Sequence, residues 1–390
     1  TERFLTSKFG KKPEVLAAQK RYEAARQKPA QEGSLPDPMV SVGWNSSGNP
    51  LPGAGLGVEP VANVGLMATQ ELPYPGKLRL RSDIASKEAG AEAQQYRAAQ
   101  LNLISRVKQA FYRLQHAEVM LGIIDANREL LRGLLRITEA RYSVGKAAQS
   151  DVFKAQTQLT LLDTRQVQFE REREARRAEL NSLVNRPPSS PFPITPEPHV
   201  PKLEFKLDDL LARTEDAAPM LARDQKMIER AESALNLARK NYYPDFAVNG
   251  GYYYMGAMPP MYMFRADVTL PLRLGRRRAE VTERAAEVSQ AKHTYEATAQ
   301  SLHYRIREDY AMAQAADKLM TLYHETVIPQ ARFTIQSSLA AYETGSTDFL
   351  SVLMNHMALI EYEMSYHEQM MDYHLALVRL EEMTGVELPQ

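Results

Sequence analysis

The 390-residue chain contains no cysteine. Disulfides, thiolate metal sites, iron–sulfur clusters and a cysteine nucleophile are therefore excluded, as is a lipidated N-terminal cysteine on the chain as given. Net charge is also missing, because 48 Lys and Arg balance 48 Asp and Glu. That excludes a globally basic nucleic-acid binder, though not a local basic patch. No apolar run reaches the roughly 18 residues of a membrane-crossing helix. Neither a glycine-rich nucleotide loop, a nucleophile elbow, a zinc-protease helix nor an EF-hand is present. The chain opens at Thr1 without a signal-peptide pattern, so a processed or trimmed mature protein is expected. Length alone suggests two or three ordinary domains.

What is present is a repeat. Pro13 and Pro38 recur as Pro219 and Pro244, each 206 residues later. RYSVGKAAQSDVF at 141–153 recurs as AYETGSTDFLSVL at 341–353, with Tyr142 and Gly145 matching Tyr342 and Gly345 at an offset of 200. Two structural repeats follow, 1–205 and 206–390. Each has the same order: a helix (13–33; 216–241), two strands (about 38–46 and 62–71; about 245–254 and 263–271), a long helix (77–143; 277–343) and a return helix (147–185; 347–384). The long helices are read as continuous, near 100 Å at ~1.5 Å per residue. Apolar spacings of three and four suit coiled-coil packing. Gly145 and Gly345 stand where a helix ends in a left-handed cap. Between the repeats, the proline-dense stretch 186–205 reads as an ordered linker.

The short strands alternate. Val40, Val42 and Trp44 oppose Ser41, Gly43 and Asn45; Val64, Leu66 and Ala68 oppose Gly65, Met67 and Thr69. Phe246, Val248, Tyr252 and Tyr254 oppose Asn249, Gly251 and Tyr253; Phe264, Ala266, Val268 and Leu270 oppose Arg265, Asp267 and Thr269. Runs of about ten residues fit a tilted transmembrane strand, and they fit equally a sheet lying on a soluble core. Four strands cannot close a barrel and open edges do not survive in lipid, so a membrane reading requires several chains, three giving twelve strands. Pro38, Pro73, Pro244 and Pro271 mark the strand–helix passages.

The repeat, the proline junctions, the two glycine motifs and LPYPGKLRLR at 72–81 make the whole chain similar to the TolC-like outer-membrane factor family. The resemblance implies a mainly α protein with a small β part: a homotrimeric channel with a coiled-coil helical barrel and a twelve-strand β-barrel, four strands per chain. It implies a Gram-negative outer-membrane protein extending into the periplasm. Its role would be the passive exit duct of a tripartite pump, working with a periplasmic adaptor and an inner-membrane transporter, chiefly of the resistance-nodulation-division type. The resemblance implies no enzyme, no cofactor and no nucleic acid. Outer-membrane lipid joins these proteins as a partner. Two other readings stay open: the exit duct of type I protein secretion, and a soluble coiled-coil scaffold.

The resemblance assigns adaptor docking to the hairpin tips at Tyr142, Gly145, Tyr342 and Gly345, and a gate to Asp151, Asp348 and Ser351. The family pattern carries acidic residues where Ser351 and Met354 stand, which puts an acidic ring there in doubt. The plainer role for Asp151 and Asp348 is a carboxylate at a helix N-terminus. Asn45, Asn249, Arg265 and Asp267 are expected to face the barrel lumen. Met364, His367, Met371 and His374 are candidate soft-metal ligands, since thioether and imidazole suit Cu(I) and Ag(I) and would point to the heavy-metal branch. Methionine at such spacings packs irregular helix contacts equally well. Lys77 and the arginines at 276–278 are placed to meet lipid head groups or to be solvated helix starts.

Overall fold

The computed structural model describes residues 12–46, 50–192, 200–201 and 205–386. Thr1 and residues 193–199 and 202–204 of the 186–205 stretch lie outside the described residues. The elements are α1 (Pro13–Ala25), α2 (Lys28–Gly33), β1 (Met39–Asn45), β2 (Asn63–Leu72), α3 (Lys77–Ser143) and α4 (Gln149–Leu183). The second half gives α5 (Leu207–Ala217), α6 (Pro219–Lys240), β3 (Asp245–Met255), β4 (Met258–Thr269), α7 (Leu274–Leu322), α8 (Ile328–Thr344) and α9 (Phe349–Thr384).

Two expected helices are interrupted, and proline explains both. The helix read over 13–33 splits into α1 and α2, with Pro29 in the first turn of α2. The long helix read over 277–343 is not continuous either: Tyr323–Val327 forms a π turn ahead of Ile328 and Pro329. Pro329 has no N–H to give, and its ring crowds the carbonyl of Glu325 one turn back. A widened turn absorbs that conflict inside a helix. The α3 helix has no proline and runs unbroken for 67 residues.

The chain forms two compact units, each drawing on both repeats. One comprises Ala18–Tyr96 and Met220–Thr298. It holds an antiparallel four-stranded sheet in the order β1-β2-β3-β4. The registers Val42↔Leu66, Leu66↔Tyr252 and Tyr252↔Tyr262 put the apolar sets of all four strands on one face. The opposite face carries Thr69, Asn249, Arg265 and Asp267. The first bonds Asn249 at 2.6 Å, and Asn249 and Arg265 donate to Asp267 at 2.9 and 3.1 Å. Among the described residues β1 and β4 are edges with a row of ladder groups unpaired, and β4 tolerates Pro259 and Pro260 because it is an edge.

The other unit comprises Thr1–Ala17, Arg97–Pro219 and Ala299–Gln390. Its helices pack through seams spaced three and four apart: Leu103, Val107, Ala110, Leu114, Ala117, Leu121 and Ile124 on α3, and Leu302, Ile306, Asp309, Ala313, Ala316 and Met320 on α7. Asp309 enters an otherwise apolar seam because Arg379 on α9 donates to it at 2.6 Å. Asn181 donates to the carbonyls of Pro188 and Ser190, and the Tyr373 hydroxyl to Pro201, so the described parts of the linker are held in place.

Candidate functional site: the two hairpin tips

Both tips, α3–α4 and α8–α9, are built by the same local chemistry. Gly145 has φ 74° and Gly345 φ 81°. The Gly145 N–H donates to Tyr142 O at 2.9 Å and that of Lys146 to Arg141 O at 2.8 Å. Gly345 and Ser346 repeat this with Tyr342 and Ala341 at 3.0 and 2.9 Å. This paired pattern satisfies the last helical carbonyls and needs a residue at positive φ, which glycine adopts without strain.

The starts of the return helices differ. On α9, Asp348 is the N-cap and accepts from the Ser351 N–H at 3.1 Å. Bonds from Ser351 hold its carboxyl below the usual range. On α4 the N-cap is Ala148, whose side chain cannot cap, and Asp151 in the first turn meets Lys154 at 3.4 Å. Lys154 adds a smaller electrostatic lowering at Asp348. Asp348 and Ser351 are exposed and Asp151 is half-buried.

The equivalent tyrosines meet opposite environments. Tyr142 is 46% exposed, whereas Tyr342 is 4% exposed and packs edge-on against Phe349 above Leu131, Leu134 and Leu353. The residue that sequence reading passed over is Arg141. Its Nη1 donates to the carbonyls of Tyr342 at 2.6 Å and Glu343 at 3.0 Å, and its guanidinium lies 4.5 Å from the Tyr342 ring centre. The signal was present in the repeat, where Arg141 has Ala341 as its counterpart.

The other candidates are redistributed. His367, Met371 and His374 do line one small cavity, about 20 Å³, but with His116 and Met370. Met364 packs elsewhere, against the tip core and beside Arg165. His374 stacks on Tyr112 at 4.3 Å, and burial pushes His367 down to about 4, aided by His116. Among the described residues no group of three or more His, Asp or Glu is placed to hold a metal ion. Lys77 is not free to meet head groups: it is 3% exposed and bound to Asp245.

The family model for outer membrane efflux proteins matches residues 9–186 and 210–386, nearly the whole chain in two blocks. The chain belongs to the outer membrane efflux protein family. As a member it is an outer-membrane protein of the TolC-like kind. It is 22% identical over 339 residues to outer membrane protein TolC of Vibrio cholerae, covering 83% of this chain and 76% of that protein. Its fold matches the outer-membrane channel OprN at TM-score 0.82 and 16% identity, over 98% of this chain and 89% of that one. It also matches the outer membrane protein VceC of Vibrio cholerae at TM-score 0.82 and 17% identity, over 98% and 95%. No helix among the described residues is long and apolar enough to cross a membrane.

Proposed function

We propose that this efflux protein is a passive homotrimeric channel, opened at its periplasmic end by an adaptor and an inner-membrane pump of the resistance-nodulation-division type, through which small solutes leave the cell. The observation that carries the reading is the four-stranded sheet with one apolar face, one polar face and two unpaired edges. In lipid such edges must be paired, and copies of the same chain supply the partners. The apolar face then meets lipid, and Asn45, Asn249, Arg265 and Asp267 line the lumen.

At the tips, Gly145, Gly345 and the exposed Tyr142 form the surface an adaptor docks on, with Tyr342 supporting it from beneath. Asp151, Asp348 and Ser351 flank the constriction. The His and Met cluster is a packing feature in this reading, since its rings are engaged by stacking and burial. The cargo in this reading is drugs or heavy-metal ions such as Cu(I) and Ag(I).

Membrane fractionation followed by native mass measurement in detergent tests this. A trimer of roughly three 44.0 kDa chains in the outer-membrane fraction is expected. A chain that stays monomeric in detergent, or partitions to the soluble fraction, sinks the proposal.

A further inference from the structure

We propose that the junction between the sheet and the helices is a basic collar that binds the headgroups of anionic glycerophospholipids in the periplasmic leaflet. This rests on the reading that the apolar face of the sheet meets lipid. All four strands join helices at one end of the sheet, where Met39 pairs with Thr69 and Asp245 with Thr269. Three of the four connections there are strongly basic. LPYPGKLRLR at 72–81, RKNYYPD at 239–245 and LPLRLGRRR at 270–278 hold nine Lys and Arg against a single acid, Asp245, in a chain whose net charge is zero. The fourth connection, 34–38, carries Asp37 and no cation.

Internal partners take up only some of these cations. Lys77 is bound by Asp245, Lys240 donates to the Pro75 carbonyl at 3.1 Å and Arg277 to Glu280 at 3.1 Å. Arg79, Arg239, Arg273, Arg276 and Arg278 are exposed, and none has an ion pair or hydrogen bond among the described residues. The three connections are also tied together: Lys240 reaches from the end of α6 to the β2–α3 connection, and Asn241 donates to Glu280 on α7 at 2.8 Å. The unpaired guanidiniums therefore share one band of surface and repel one another until a counter-charge arrives. A phosphodiester supplies it, and it matches the guanidinium fork in shape.

The surroundings favour an amphiphile over a soluble anion. The apolar set of β4 continues past the last strand residue as Leu270, Leu272 and Leu274, all exposed, Leu272 at 81%. Beside the other two basic connections, Tyr74 stacks on Tyr243 at 4.6 Å, and Tyr243 is exposed. An apolar ring with a polar tip suits the level where acyl chains give way to phosphate. Leucines among arginines meet chain and headgroup together; a soluble polyanion would leave those leucines in water. The helices leave for the periplasm from this end, so the leaflet met here is the glycerophospholipid one. Lipid A belongs at the opposite end of the sheet, where Met255 pairs with Met258.

The test is native mass spectrometry of the full chain in detergent micelles holding phosphatidylglycerol and phosphatidylethanolamine in equal amounts. Wild type is compared with a collar variant, Arg273→Gln with Arg276→Gln and Arg278→Gln. A control removes three exposed arginines of the other unit, Arg171→Gln with Arg305→Gln and Arg307→Gln. Wild type should retain phosphatidylglycerol over phosphatidylethanolamine by about tenfold, the collar variant should approach parity, and the control should match wild type. The wild-type preference should also shrink as salt rises from about 50 mM to about 500 mM, a readout that needs no variant to fold. Equal retention of the two lipids by wild type at low salt overturns the collar and leaves the channel reading intact. So does an undiminished preference in the collar variant, or the same loss in the control. Selective retention of added lipid A in place of phosphatidylglycerol assigns the arginines to the other leaflet and overturns it too. A wild-type chain that stays soluble without detergent and retains no lipid overturns the reading of the apolar face, and the collar with it.

Discussion

Lys77 places its ammonium 2.9 Å from both carboxylate oxygens of Asp245, although 168 residues separate them in the chain. The same nitrogen donates to Tyr243 O at 3.1 Å, and Asp245 in turn accepts from the Tyr74 N–H at 2.7 Å. The start of α3 is thereby pinned to the start of β3. Asp245→Asn gives the buried ammonium a neutral amide oxygen in place of two carboxylate oxygens, beside the Tyr243 carbonyl, and should cost about 1–3 kcal/mol. Thermal unfolding of the detergent-solubilised protein measures the loss. An unchanged unfolding temperature would mean that water replaces the carboxylate.

The two faces of the sheet should respond oppositely to charge. Val268 is on the apolar face, paired with Phe246, and Asp267 is on the polar face. Val268→Arg should cost about 2–4 kcal/mol if it lies near the bilayer midplane. Asp267→Asn should leave barrel stability within about 1 kcal/mol while altering ion selectivity. Equal effects of the two substitutions on refolding into vesicles would contradict the assignment of faces.

Alanine at either tip glycine should be tolerated by the fold and felt by the partner. Nothing lies within 4 Å of a Cβ built on Gly145, so the cost there is backbone strain alone, about 1 kcal/mol. At Gly345 the cost is again backbone strain, since the added Cβ would meet Arg141 Nη2 only at an ordinary contact distance of 3.7 Å. Helix content by circular dichroism should be unchanged in both, and binding to the cognate adaptor should weaken. Wild-type adaptor affinity in both variants would place docking elsewhere.

Acid should unlock the helical unit through His367. Its folded value, about 4, lies below the 6.5 of an exposed imidazole, chiefly because burial disfavours the charged ring. The neutral form is therefore the one the fold prefers. The stability this provides is complete above pH 6.5 and is lost as pH falls from 6.5 toward 4, on the order of 3 kcal/mol at most. Asp309 and Asp372, whose carboxyls burial pushes up, titrate in the opposite sense. The difference between wild type and His367→Asn isolates the histidine. If the two unfolding curves run parallel from pH 7.5 to 4.5, the prediction fails.

Much of the architecture was legible because it rests on local physics. Alternation with period two, helical spacing of three and four, and glycine at the ends of α3 and α8 each act within a few residues. The repeat then reported that the same order was built twice. Pro29 and Pro329 are equally local signals, and they account for the two helices that differ from the expected continuous ones. Gly145 and Gly345 were assigned their left-handed caps from sequence, and both adopt them.

The tertiary structure decided which members of equivalent pairs do different things. Tyr142 and Tyr342 occupy the same place in the repeat, yet one faces solvent and the other is buried beneath Arg141. His116 joins His367 and His374 across more than 250 residues of chain, while Met364, three residues from His367, does not. Lys77 looked like a surface cation until Asp245 was brought to it. Local spacing specifies which face of an element a side chain occupies. Which partner that face meets depends on how separate helices and strands pack, and that information belongs to no single segment of the sequence.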